Sequence, residues 1–129
     1  MFRIRFEQLD FVGQSRDAAA RPEQIAGALR QLHPELVAEL EDERLTRRMR
    51  IVVARSALYG IDSFSGQLAL AALMLEFSPA FDRHPQLRRI LRDAARTAEE
   101  RVSALEELTG MVWEVVRSMG GADPWKDAE

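Results

Sequence analysis

The stretch Leu68-Ala69-Leu70-Ala71-Ala72-Leu73-Met74-Leu75 decides the class of fold. The run is apolar on every side of a helical wheel, which is typical of a helix that is buried all round. Ser63 or Ser65 is placed to cap this helix, and Pro79 ends it. Its eight residues are far fewer than the roughly 20 that cross a bilayer. The run therefore predicts the buried central helix of a bundle.

Helical patterns continue on both sides of this central helix. Before it, a short helix covers Glu7 to Ala19, a helix begins at Pro22 and stops before Pro34, a turn follows to Leu40, and the strong pattern of Asp42 to Tyr59 ends at Gly60 in a left-handed cap. After it, a helix follows Pro85, and the capping-box spacing of Thr97 to Glu100 starts a last helix that runs to Gly120-Gly121. We expect an all-α fold, a compact bundle of about five helices in a single domain over residues 1–129.

The two ends of the chain depart from these helical patterns. Residues 1–7 alternate apolar Phe2, Ile4 and Phe6 with polar residues, which is the period of a strand, although no second strand follows. The segment is therefore either an extended arm packed by its side chains or a strand that pairs with a second copy or another protein. At the other end, residues 122–129, which include Trp125, are expected to form a flexible tail.

The composition of the chain argues against several classes of function. The 18 basic and 21 acidic residues give a formal charge of −3, which argues against binding to nucleic acid or to an anionic membrane. The absence of cysteine excludes disulfides, zinc-thiolate sites, iron–sulfur clusters and cysteine nucleophiles. No phosphate loop, nucleophile elbow or zinc-protease helix is present, so we expect no enzyme and no cofactor. Charge at the N-terminus predicts no secretion signal and a cytoplasmic location.

One surface stands out on the helix from Asp42 to Tyr59. Arg44, Arg48 and Arg55 line one side of it, with the aliphatic Ile51 and Leu58 beside them. A face of this kind is more often solvated and paired with neighbouring acids. The alternative interpretation is a binding surface for an acidic partner. Trp113 lies in the last helix, whose apolar surface is so wide that the bundle or a partner must cover it. The candidate partner-binding residues are Arg44, Arg48, Ile51, Arg55, Leu58 and Trp113.

A metal site is the alternative chemistry. Asp82 and His84 are two residues apart and could supply two ligands if Asp62 or Glu76 approached them. Two adjacent ligands without a spaced partner are a weak signal, so no metal ligand is assigned.

A set of residues between positions 59 and 101 resembles a known family. The set is Tyr59-Gly60-Ile61, Ser63, Leu73-Met74-Leu75-Glu76-Phe77, Pro79, Phe81-Asp82, Pro85, Ile90-Leu91 and Glu99-Glu100-Arg101. It is similar to small, uncharacterised helical bacterial proteins encoded beside type VI secretion spikes and polymorphic toxin effectors. The resemblance implies a cytoplasmic partner of a secreted toxin, either an immunity protein or a loading adaptor or chaperone, and it implies no catalytic residue.

Three hypotheses follow. The first is a non-catalytic protein-binding module whose partner is a toxin effector. The second is a self-associating structural protein that forms a homodimer through its arm and last helix. The third is a small metal-dependent enzyme that uses Asp82 and His84.

Overall fold

Helices account for most of the described chain. A computed structural model describes residues 21–108, 110–119 and Trp125, and within them no strand occurs. The helices are α1 (Pro22–Leu32), α2 (Pro34–Val37), α3 (Asp42–Leu58), α4 (Phe64–Glu76), α5 (Pro85–Leu91), α6 (Ala98–Glu107) and α7 (Gly110–Met119), with a 3₁₀ turn at Phe81–Arg83. The predicted all-α bundle is confirmed, but the described residues form seven α-helices rather than about five.

Local signals set several of the helix ends. Ser63 Oγ accepts a hydrogen bond from the Gly66 N–H at 3.1 Å and caps α4. Thr97 and Glu100 form the predicted capping box, with bonds of 2.8 and 3.1 Å. The Thr97 N–H that donates to its carboxylate lowers the pKa of Glu100. Gly60 follows α3 with φ +69°, the left-handed conformation that favours glycine.

The core forms around α4, as its all-apolar sequence predicts. Every residue from Leu68 to Met74 is buried. α1 and α3 pack against each other and against α4, while α2 and α6 cover other sides of α4. α5 packs against the 3₁₀ turn and α6. The turn and α5 therefore lie at the edge of the bundle, where their outward side chains reach the surface.

The predicted last helix is two helices. α6 ends at Glu107, and Leu108 is extended at φ −64° and ψ 149° before α7 begins at Gly110. Trp113 is fully buried; its ring stacks on Phe77 with 4.9 Å between centroids, and its Nε1–H donates to the Leu105 carbonyl at 3.1 Å. The break lets α7 place this indole against the end of α4. A single straight helix over this segment would leave much of its apolar surface uncovered. The prediction of one last helix was therefore wrong.

The predictions for the chain ends fall mostly outside the described residues. The arm of residues 1–7 and the helix from Glu7 to Ala19 lie outside them altogether. Of the expected flexible tail, 122–129, only Trp125 is described, and it is 5% exposed. Among the described helices, none combines the length and the apolar character that crossing a membrane requires.

Candidate functional site

Three of the six candidate partner-binding residues share one line along α3. Arg44, Ile51 and Leu58 are seven residues apart, so each lies two turns beyond the previous one on the same side of the helix. Arg44 is exposed, Ile51 is half-buried, and Leu58 is 69% exposed. We call these three residues the α3 strip. It combines a cation with aliphatic surface, as the sequence predicts.

Arg55 is engaged inside the molecule rather than presented on this strip. Its Nη1 donates to the Pro79 carbonyl at 2.8 Å and to Asp82 Oδ1 at 2.7 Å. The other carboxylate oxygen of Asp82 accepts the Tyr59 hydroxyl at 2.7 Å. We call Arg55, Tyr59 and Asp82 the Asp82 network. It ties α3 to the loop that precedes α5, so Arg55 is a structural residue here.

Burial and this network perturb the phenol of Tyr59. Burial raises the pKa of Tyr59, and its hydrogen bond to the Asp82 carboxylate raises that pKa further. Arg101 of α6 donates to the Tyr59 carbonyl at 2.7 Å and to the Leu91 carbonyl at 2.5 Å. These carbonyls lie at the C-terminal ends of α3 and α5, where a cation is favourable. One guanidinium thus holds together the ends of two helices.

Arg48 and Trp113 are also covered by other residues rather than exposed on the predicted surface. Arg48 is half-buried, and its guanidinium carbon lies 5.0 Å from the centre of the Trp125 ring, a cation–π distance. Trp113 is a core residue that stacks on Phe77 and Phe81. The helical pattern of the sequence could not show that Trp125 covers Arg48 or that α7 turns Trp113 into the core. Trp113 is therefore removed from the candidate surface.

The alternative metal site has no geometric support. Both carboxylate oxygens of Asp82 accept hydrogen bonds from protein donors, and His84 Nδ1 accepts the Gln86 N–H at 3.2 Å as the cap of α5. Within residues 21–108, 110–119 and Trp125, no group of three or more His, Asp or Glu side chains could hold a metal ion. Asp82 and His84 instead stabilise the turn and the start of α5.

Leu58 borders a depression between the end of α3 and the helices α5 and α6. The depression has a volume of about 420 Å³, and its lining residues are Leu58, Tyr59, Leu91, Arg92, Ala94, Arg96 and Arg101. We call it the Leu58 depression. It extends the α3 strip into a concave surface where an exposed leucine lies beside arginines from the segment after α5.

A second depression lies beside α5, at residues to which the sequence pattern gives no functional role. Its volume is about 590 Å³, and its lining residues are Arg83, Pro85, Arg88, Arg89, Arg92, Asp93 and Ala94. We call it the α5 depression. The available signal was the spacing of Arg88, Arg89 and Arg92, which places three cations on neighbouring sides of one short helix. Arg83 joins them only because the 3₁₀ turn folds against α5.

Comparison with known proteins gives no match for this chain. No family model matches the chain, and no curated protein or solved structure matches it at a significant level. The surfaces described above are therefore the basis for any functional conclusion.

Proposed function

We propose that this chain is a non-catalytic protein-binding module that holds an acidic segment of a partner protein on the α3 strip and the Leu58 depression. The observation that carries the proposal is Leu58, a large apolar side chain that is 69% exposed beside Arg92 and Arg96. An apolar anchor surrounded by arginines is typical of a protein interface, because the anchor supplies binding energy and the guanidiniums pair with carboxylates.

The form of the depression supports a preorganised site. Tyr59 and Arg101, which line it, are fixed by the Asp82 network and by the two carbonyl contacts of Arg101. A rigid lining lowers the entropy that binding must overcome. The partner contributes an apolar side chain toward the exposed Leu58 and carboxylates toward Arg44, Arg92 and Arg96.

The partner that we propose is a secreted toxin effector, with this chain acting in the cytoplasm as its immunity protein or loading adaptor. Support comes from the residues that carry the family resemblance. Tyr59, Pro79, Asp82 and Arg101 belong to that set and also join the contacts around Arg55 and the Leu58 depression. The shared residues therefore build a scaffold behind the proposed surface, which agrees with a binding role that uses no catalytic group.

The test is quantitative co-purification from native lysate with the affinity-tagged chain and two matched variants. Leu58→Asp places a charge in the proposed anchor. Met111→Asp makes the same change at another exposed apolar side chain, 79% exposed on α7. We expect one toxin-like neighbour to be retained by the original chain and by Met111→Asp, and its recovery to fall by about tenfold or more with Leu58→Asp. Retention that Leu58→Asp leaves unchanged would contradict the proposal.

Two further measurements separate the roles. Circular dichroism of both variants checks that they remain folded, since both substitutions lie on the surface. Growth of cells that express the recovered toxin, with and without this chain, distinguishes immunity from adaptor function: an immunity protein restores growth, and Leu58→Asp abolishes the protection.

Self-association is the second candidate function, and α7 favours it. Met111 and Val115 are one turn apart and are 79% and 46% exposed, so they form a small apolar patch. If this patch forms a homodimer, light scattering shows a dimer mass that Met111→Asp returns to the monomer. A monomer mass at every concentration would remove this candidate.

A further inference from the structure

The α5 depression concentrates positive charge in an acidic chain. Residues 83–96 contain five arginines and one acid, Asp93, which gives this stretch a formal charge of +4 while the whole chain carries −3. Four of these arginines, Arg83, Arg88, Arg89 and Arg92, line the depression together. All four are exposed. The local charge is therefore opposite to the charge of the protein as a whole.

None of these four guanidiniums forms an ion pair with any residue that the structure describes. Other arginines do, for example Arg30 with Asp42 at 2.9 Å and Arg117 with Glu114 at 3.2 Å. The one acid in the lining, Asp93, pairs with Arg96 at 3.3 Å and accepts the Ala95 N–H at 3.0 Å. The four cations of the depression consequently repel one another, and a bound anion would relieve that repulsion.

The helix dipole explains only part of this cluster. Arg88 and Arg89 lie in the last turn of α5 and Arg92 follows it, where cations are favourable. Arg83 precedes the helix, at its positive end, where a cation is unfavourable. The helix dipole therefore does not explain why Arg83 lies beside the other three arginines.

One hydrogen bond orients the guanidinium of Arg88. Its Nε donates to the main-chain carbonyl of Asp82 at 3.0 Å, and the Asp82 side chain is itself fixed by Arg55 and Tyr59. The bond at Nε orients the guanidinium plane and leaves the two Nη groups to donate elsewhere. Paired Nη donors bind the oxygens of phosphate and carboxylate groups in a bidentate manner.

We propose that the α5 depression binds a compact anion with two or three linked phosphate groups. The volume of about 590 Å³ is within the ~300–1,000 Å³ of ligand pockets. An acidic protein segment fits the lining less well, because its apolar residues are only Pro85 and Ala94 and protein interfaces depend on larger buried anchors. The two depressions adjoin and share Arg92 and Ala94, whereas Arg83, Arg88 and Arg89 line the α5 depression but not the Leu58 depression.

The test is isothermal titration calorimetry of the full chain with sodium tripolyphosphate at low and at physiological ionic strength. We expect a single saturable site, with orthophosphate binding more weakly because it engages fewer arginines. Arg88→Lys keeps the charge but loses the oriented pair of Nη donors, so affinity should fall about tenfold. Arg83→Gln with Arg89→Gln should abolish measurable binding at physiological ionic strength.

Arg50→Gln is the matched control. Arg50 is an exposed arginine of α3 that lines neither depression, so its variant should bind tripolyphosphate within about twofold of the original chain once screening at physiological ionic strength is present. Equal losses in Arg50→Gln and Arg88→Lys would show unspecific charge attraction and overturn the proposal, as would no binding at low ionic strength. A hexaglutamate peptide that binds as tightly as tripolyphosphate, with the same dependence on Arg88, would assign the depression to acidic protein segments instead.

Discussion

Replacement of Asp82 by alanine tests most directly how strongly the Asp82 network stabilises the fold. The substitution removes both acceptors of the Asp82 network, the 2.7 Å bond from Arg55 and the 2.7 Å bond from Tyr59. It leaves a guanidinium and a phenol partly buried without their carboxylate. We expect a large loss of stability from one change in a loop.

The magnitude follows from burial. The side chains of Asp82 and Arg55 are 13% and 22% exposed, so solvent replaces their bonds poorly. A hydrogen bond to a charged group contributes ~1.5–3 kcal/mol, and removal of one partner of a fully buried pair costs ~3–5 kcal/mol. Because this pair is partly exposed, we expect the lower end, about 3 kcal/mol of unfolding free energy, or roughly 10 °C in Tm. Asp82→Asn keeps one of the two acceptor oxygens without the charge and should cost about half as much.

Urea unfolding followed by circular dichroism measures this free energy. Asp42→Ala is the control, because Asp42 forms an ion pair with Arg30 but its side chain is 93% exposed. A solvent-exposed pair contributes at most about 1 kcal/mol. Equal losses in Asp82→Ala and Asp42→Ala, within about 0.5 kcal/mol, would refute the reasoning that burial makes the Asp82 network strong.

Four further predictions concern single residues. Trp113→Ala should lower the urea unfolding free energy by about 3–5 kcal/mol, because it empties a fully buried site; a cost below about 1 kcal/mol would mean that α7 does not pack as described. Gly60→Ala should lower the unfolding free energy by about 1 kcal/mol, because an alanine is strained at φ +69°, and an unchanged Tm would contradict this conformation. Thr97→Ala should cost about 1 kcal/mol through loss of the α6 cap, which a serine at this position should largely restore. Tyr59 is the only tyrosine, so the ultraviolet absorbance of its phenolate should report a pKa above the usual range of tyrosine. The contribution of the neutral phenol to stability is present below pH ~10 and is lost as pH rises through the raised pKa. Titration at the ordinary pKa would contradict the buried bond to Asp82.

The helix ends that the sequence predicts are those set by residues close in the chain. Pro22 starts α1, Ser63 caps α4, Gly60 ends α3, and Thr97 forms its box with a residue three positions away. In each case the deciding contact or conformation lies within one turn, so a pattern of a few residues contains it. The division between α6 and α7 is different, because it depends on where Trp113 packs against an element more than thirty residues earlier in the chain.

The candidate site could be predicted only as far as the periodicity of α3 reaches. Arg44 and Arg55 lie on the same side of that helix, and nothing local separates them. Their roles differ because Asp82, which is 27 residues beyond Arg55, reaches one guanidinium and not the other. The identity of a guanidinium's partner is a tertiary fact, since a long side chain can meet a carboxylate from any neighbouring element.

The α5 depression likewise depends on tertiary contacts and could not be predicted from the sequence. Arg88 is one of several outward arginines by pattern, and only the fold shows that its Nε is bound to the carbonyl of a residue whose carboxylate is already engaged. Asp82 thereby supports two surfaces at once: its side chain fixes Tyr59 beside the Leu58 depression, and its main chain orients Arg88 in the α5 depression. Loss of the Asp82 carboxylate should therefore disturb the first surface directly and the second only through movement of the turn.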